Sequence, residues 1–490
     1  MRLLLTNNHL YVEDADQEQH DTLSNLLKFR VPGAYFTRAY QSGHWDGYRR
    51  FYNKRYKRTD AGFLEFILSL AEKNKWSVVI EDGRKVVGRR KTPTWSVWNE
   101  RLKGCGFKTH EYISRIQAKG ARRAFTKYVF DGIYFPRGIF SIATGGGKTS
   151  LTALACSCIS KSVLVLLGRL DLLYQTKDVL ENILKEPIGI IGDTERDIQR
   201  VTILMSQTGS RVFEQKWFKD YLKTIKMVCL DEAHHLNDNT VYDVIKECSN
   251  AYYRFAFTAT PFRRGDPGDA QLLGTFGGKI IEVPSKELRD VGALAEVKTW
   301  IYEFQGKGFP AKMDKRRAKK IGIYQNVERN QAIIEIAQVF KAKKYPCLIL
   351  VDSPLEHGEQ LIELFGFITG ENPPVINFKT PKNLRRDLLD QLEDQKIPYI
   401  IASIGVFGEG INAPNIRALI RAEGGDNAIR TLQAAGRGMR RKEEPNILHL
   451  VDFWDQTQKA LEKDSRRRIA VYEEEEYDIS YISSAGEITT

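Results

Sequence analysis

The chain has 490 residues, room for two to four domains at about 100–200 residues each. With 42% hydrophobic and 28% charged residues it has ordinary globular composition, which excludes wholesale disorder and collagen- or mucin-like chains. No run approaches the ~18 apolar residues of a membrane span, so no transmembrane helix is expected, and 74 Lys and Arg against 62 Asp and Glu leave a charge of +12 that favours a polyanionic partner such as nucleic acid or an anionic membrane surface.

The amino terminus, MRLLLTNNHLYVED, turns polar after its first apolar residues and has no signal-peptide core. An acidic stretch from Glu13 to Glu18 precedes a basic one. Between Lys28 and Arg58 lie nine basic residues, opposed only by Asp46, and nine interleaved aromatics that include Phe36, Tyr40, Trp45, Tyr48 and Tyr52. Cations with flat rings suit phosphates and bases. Trp45, flanked by Gly43 and Gly47 on a turn, and the neighbouring Arg49 and Arg50 are the leading candidates for DNA contact. Helical spacing over Phe63–Lys75 and the run Trp76–Ile80 predict a helix and a strand, so residues 1–95 are expected to form a small basic α/β DNA-binding domain.

Short apolar runs separated by helical stretches follow: Ile139–Ile142, Val163–Leu167, Thr202–Leu204, Met227–Leu230 and Phe255–Phe257, then Cys347–Val351, Tyr399–Ala402, Ala418–Ile420 and Ile447–Val451. Uninterrupted apolar strands between helices imply parallel sheets covered on both faces. Two such sets predict tandem α/β domains, 96–290 and 291–455, followed by a charged tail, 456–490. The six cysteines are scattered and mostly lie in apolar runs, which predicts buried thiols in a reducing compartment.

The motifs sit at strand ends. Thr144-Gly145-Gly146-Gly147-Lys148-Thr149 follows the strand IFSI. A glycine-rich strand-to-helix turn aims backbone N–H groups at phosphate, with Lys148 reaching the β- and γ-phosphates and the Thr149 hydroxyl a ligand for Mg²⁺. Ile142 replaces the first glycine of the full phosphate-loop pattern. Asp231-Glu232-Ala233-His234 follows MVCL, which places Asp231 against Mg²⁺ and Glu232 beside a water. Thr258-Ala259-Thr260-Pro261 ends the next strand. In the second half, Ser403 opens a turn that carries Gly408 and Gly410, and Gln433, Arg437 and Arg440 share one face of a helix, where guanidiniums suit polyphosphate charge.

This order of motifs resembles the superfamily 2 helicases over residues 110–455. The resemblance implies two tandem RecA-like domains with ATP·Mg²⁺ on Thr144–Thr149. It implies metal binding by Thr149 and Asp231, catalysis by Glu232 with Lys148, Gln433, Arg437 and Arg440, a nucleotide contact at Gly410, and DNA contacts at Arg169, Gln175 and Ser403. The segment Tyr40–Arg50, YQSGHWDGYRR, is similar to phage UvsW-type branch-migration helicases. It implies an ATP-dependent DNA motor on forked, branched or duplex DNA, located in the cytoplasm, or the host cytoplasm for a phage chain. An RNA helicase and an ATP-switched binding module that never translocates are the alternative readings. Many relatives read adenine with an upstream glutamine; Phe125 stands at its position here and Gln117 is nearest, while Asn412 replaces a frequent aspartate.

Overall fold

The computed structural model describes residues 1–488 except 108, 130–131, 169, 234–238, 260, 263–266, 309, 311–312, 409–415, 427–435, 437–438 and 440–444. It divides into two compact units, Met1–Val283 and Pro284–Thr490.

The described residues of the first unit build an eight-stranded sheet, ordered Glu195–Arg196, Ile188–Gly192, Val201–Met205, Val163–Leu167, Met227–Asp231, Tyr253–Thr258, Arg137–Ile142 and Lys279–Val283. All pairs are parallel except the terminal hairpin of Ile188–Gly192 with Glu195–Arg196. The central strands are buried along their whole length, which is why they read as unbroken apolar runs.

The front segment has its own four-stranded sheet, in the order Arg58–Asp60, His9–Glu13, Arg2–Leu5, Val79–Asp82. The sequence predicts a small α/β domain over residues 1–95, and in the structure that segment shares a core with residues of the eight-stranded sheet's layer. Leu3, Leu10, Phe51, Phe63 and Ile67 cluster with Phe135 and Ala270. Backbones meet closely at this join: a Cβ on Gly62 would lie 2.3 Å from the Leu273 carbonyl oxygen, and one on Gly274 would lie 2.6 Å from the Phe63 ring. The strand expected at Trp76–Ile80 begins three residues later, at Val79.

The second unit's described residues form a seven-stranded parallel sheet: Val375–Ile376, Tyr399–Ser403, Cys347–Val351, Ala418–Arg421, Ile447–Asp455, Glu296–Phe304, Asp478–Ile482. The expected tail is part of this body. Lys459–Glu474 is a helix and Asp478–Ile482 the edge strand. Arg468, 2% exposed, donates to both Asp452 oxygens at 2.9 Å, and Tyr472 donates to the same carboxylate at 2.6 Å. Charge in this segment is thus partly core, because its ions are paired there. No helix among the described residues is long and apolar enough to cross a membrane.

His449 gives this unit a pH dependence. Its Nδ1 accepts from the Trp300 indole at 3.3 Å, which places the ring proton on Nε2. Burial, reinforced by Lys298, Lys343 and Arg417, lowers its pKa from 6.5 to about 4. Between those values the unfolded chain binds a proton that the folded chain does not, so stability falls as pH drops. The melting temperature should therefore be flat above pH 7 and decline from about 6.5 to 5, above the carboxylate range. Burial also lowers the pKa of His357 in the same unit, so His449→Gln should remove part of that decline; an identical profile would show that the His449 ring is not held neutral.

Candidate active site

Strand order assembles the site. The strand ending in Thr258 lies between the strand that feeds the glycine loop and the strand ending in Asp231, with Thr258 paired to Ser141 and Phe257 paired to both Phe140 and Asp231. Three motifs far apart in sequence therefore meet at the carboxyl edge of one parallel sheet, where ligands of open α/β folds bind.

The glycine loop leaves Ile142, tightens through a 3.0 Å hydrogen bond from Gly146 N–H to Ala143 O, and enters the helix Lys148–Ser157. Gly145 and Gly147 have φ of 88° and 77°, conformations natural to glycine. At Gly147 the need is also steric, since a Cβ would lie 2.4 Å from Gln117 Nε2. The first-turn N–H groups of the helix and its dipole favour an anion at this end.

Lys148 Nζ lies 4.0 Å from Glu232 Oε1, the two side chains being 10% and 26% exposed. Glu232 has a φ of 48°, a left-handed conformation unusual for a residue with a side chain. Its N–H donates to Asp231 Oδ1 at 2.9 Å. Asp231 itself is buried at the strand end. A cation, two carboxylates and a cradle of backbone donors stand together, and such a set can hold a polyphosphate with its metal and position a water. Thr149 lies in the same helical turn as Lys148, and Thr144 is half-buried in the loop.

Support for the loop comes from the glutamine that the sequence offered as the nearest upstream candidate for reading adenine, not as a brace. Gln117, on the buried face of helix Glu111–Phe125, donates from Nε2 to Gly147 O at 3.0 Å. Its Oε1 accepts from the Trp98 indole at 2.7 Å. Both ends of the amide are engaged, so in this state Gln117 braces the loop. Phe125 is core, 5.2 Å from the Phe255 ring and 5.4 Å from that of Tyr253. The signal for the brace in the sequence was a tryptophan and a glutamine on adjacent amphipathic helices, a pattern that also fits plain core packing.

The remaining candidates divide. Gln175 is exposed on helix Leu170–Leu184, and Ser403 is half-buried at the end of its strand in the second unit. Trp45 is half-buried, and its indole donates to Tyr48 O at 2.9 Å. It therefore staples its own loop, while the expected DNA contact at this residue stays an expectation. Arg50 is held by Asp46, and Arg49 stacks over Phe51 and Tyr242 at 5.4 and 5.6 Å. Arg169, His234, Thr260, Gly410, Asn412, Gln433, Arg437 and Arg440 lie outside the described residues. All six cysteines are free thiols and five are buried. Cys229 Sγ, beneath the acidic motif, has its pKa raised by its hydrogen bond with Cys156 and by burial.

Comparison with known proteins adds two domain matches. Residues 113–263 match the family described as type III restriction enzyme, res subunit, and residues 328–442 match the helicase conserved C-terminal domain. The chain is similar to the ATP-dependent DNA helicase uvsW of Enterobacteria phage T4, 22% identical over 470 residues, which cover 90% of this chain and 88% of that protein. It is 25% identical over 346 residues to the DNA 3'-5' translocase XPB2 of Sulfurisphaera tokodaii, covering 64% of this chain and 76% of that one. Among solved structures, the ATP-dependent type ISP restriction-modification enzyme LlaBIII bound to DNA has the same fold over 77% of this chain and 31% of its own, with a TM-score of 0.57 and 13% identity.

Proposed function

We propose that this chain, a superfamily 2 helicase with the restriction-enzyme res-subunit and helicase C-terminal domains in tandem, is an ATP-dependent DNA motor that unwinds or branch-migrates forked and four-way DNA. The observation that carries the proposal is Lys148 Nζ 4.0 Å from Glu232, beside Asp231 at the mouth of a glycine cradle. The branched substrate is favoured by the likeness to uvsW over nine-tenths of the chain and by the basic front segment.

The triphosphate lies along the backbone donors of Thr144–Thr149, and Lys148 neutralises its terminal phosphates. Thr149 and Asp231 would hold Mg²⁺, which supplies positive charge to the phosphate oxygens. Glu232 orients a water and takes its proton as the water attacks. Arg437 and Arg440 stabilise charge on the transferring phosphoryl group, with Arg440 the preferred arginine finger; such a finger is worth roughly 10³–10⁵ in rate. Gln433 and Gly410 complete the nucleotide contacts. DNA is gripped at phosphates by Arg169, Gln175 and Ser403, contacts that carry little sequence information and so suit travel along any sequence. Proposed boundaries are 1–95 for the DNA-binding segment, 96–290 and 291–455 for the RecA-like domains, and 456–490 for the charged carboxyl-terminal segment.

The test is ATP hydrolysis measured with single-stranded, duplex, forked and four-way DNA and with RNA. Hydrolysis should rise severalfold with DNA, most with the branched forms. Stronger stimulation by RNA would replace the substrate with RNA, and none by any polymer would leave a binding module.

A further inference from the structure

The loop between Val31 and Gly47 is built around aromatic residues, but not all of them serve the build. It is closed by the antiparallel pairs Lys28 with Arg50, Phe29 with Arg49 and Arg30 with Tyr48, and then by Val31 N–H to Gly47 O at 2.8 Å. Inside it, Trp45 donates its backbone N–H to Ala39 O at 3.1 Å as well as its indole to Tyr48 O. Tyr40 packs on Gly47, where a Cβ would lie 3.1 Å from its ring and 3.2 Å from the Ala34 methyl. Thr37 donates to Ala34 O at 2.7 Å and accepts from Tyr40 N–H at 3.3 Å, and Gln41 ties back to Tyr35 O at 3.1 Å. The backbone around residues 34–37 is therefore fixed by its own hydrogen bonds.

On this fixed turn, Tyr35 and Phe36 point outward. They are 53% and 74% exposed, with ring centroids 4.1 Å apart and planes 41° apart. Single exposed apolar residues are ordinary, but two adjoining rings on a braced turn form a patch with a use. Arg30 and Arg38, both exposed, flank the patch in sequence, within a segment, Lys28 to Arg58, in which cations exceed acids. Cations select phosphate, and exposed rings select the flat faces of unpaired bases, which arrive joined to phosphate. The DNA-motor reading makes nucleic acid, rather than an anionic lipid surface or an acidic protein, the partner chosen to meet both rings and cations.

We propose that Tyr35 and Phe36 form a base-stacking site for the unpaired or terminal bases of a DNA junction. The proposal rests on the DNA-motor reading above and assigns the contact to these two rings, with Trp45 as scaffold. Stacking on a ring holds a base out of its duplex, so the site would favour junctions over continuous duplex, whose base faces are already covered.

The test uses the full chain and a fork with 2-aminopurine at the first unpaired position. Wild type should change the probe's fluorescence on binding, and Tyr35→Ala/Phe36→Ala should abolish the change and weaken fork binding roughly tenfold or more. The slope of log K against log salt should stay the same, because no phosphate contact is removed. Phe36→Trp should retain the signal, and Phe36→Ser alone should lose part of it, with an unchanged melting temperature, since the rings are exposed. A double variant that binds and signals like wild type would overturn the assignment, and so would a reduced salt slope accompanying the loss. Wild type that neither binds the fork nor hydrolyses ATP faster with DNA would instead defeat the motor reading itself.

Discussion

Glu232→Gln should bind ATP and DNA near wild-type affinity and lower kcat at least a hundredfold. General base catalysis by a positioned side chain is worth roughly 10²–10⁴ in rate, and the amide keeps the shape of the carboxylate while losing its basicity. The substitution also removes the negative partner 4.0 Å from Lys148, leaving that ammonium for the nucleotide, so ATP binding should hold or tighten. Loss in the chemical step with KM unchanged or lower is the signature of a group that acts in the transition state. Lys148→Ala should behave oppositely and weaken nucleotide binding. Near-normal turnover by Glu232→Gln would remove Glu232 as the base.

Asp60→Ala should destabilise the first unit by about 3–5 kcal/mol, the range for leaving one member of a buried ion pair alone. Asp60 accepts from Tyr242 Oη at 2.6 Å and from the ammonium of Lys246. Burial lowers the Lys246 pKa and Asp60 opposes that shift, so without the carboxylate the ammonium is left without its ion-pair partner in a low-dielectric setting. Both partners belong to helix Asn239–Glu247, the described helix that follows the acidic motif, so hydrolysis should fall together with the melting temperature. Adding Lys246→Met should recover much of the loss, because the stranded charge goes with it. Denaturant titration of the four chains of this cycle measures the coupling; a loss under ~1 kcal/mol for Asp60→Ala would mean that the front segment is not anchored here.

That anchor marks where the sequence stopped being legible. Strands such as Val163–Leu167 and Met227–Asp231 are apolar throughout because both faces of their sheets are covered, and the motifs follow them directly. Strands that alternate or lie at edges gave a weaker signal: Lys279–Val283 and Glu296–Phe304 carry charges between apolar residues, and the region joining the two α/β sets read as a pause. The front segment looked separable because its composition changes sharply, but Asn7 O accepts from Arg137 at 3.0 Å, and Asn8 Oδ1 accepts from Arg254. Composition reports a segment's surface and does not report which core it shares. Arg468 lies in the expected charged tail, 456–490, whose composition does not show that this residue pairs with Asp452 in the core. Trp45 was singled out among nine aromatics by its flanking glycines, but the same turn that makes a tryptophan conspicuous lets its indole cap a carbonyl inside the loop.

ATP hydrolysis and strand displacement followed together on one forked DNA test the motor most directly. Both should depend on DNA, rise in proportion with ATP concentration, and stop together in Glu232→Gln, with no displacement when a non-hydrolysable nucleotide replaces ATP. Displacement that persists with the non-hydrolysable nucleotide, or DNA-stimulated hydrolysis with no strand moved on any fork or four-way junction, would contradict a motor driven by Lys148, Asp231 and Glu232.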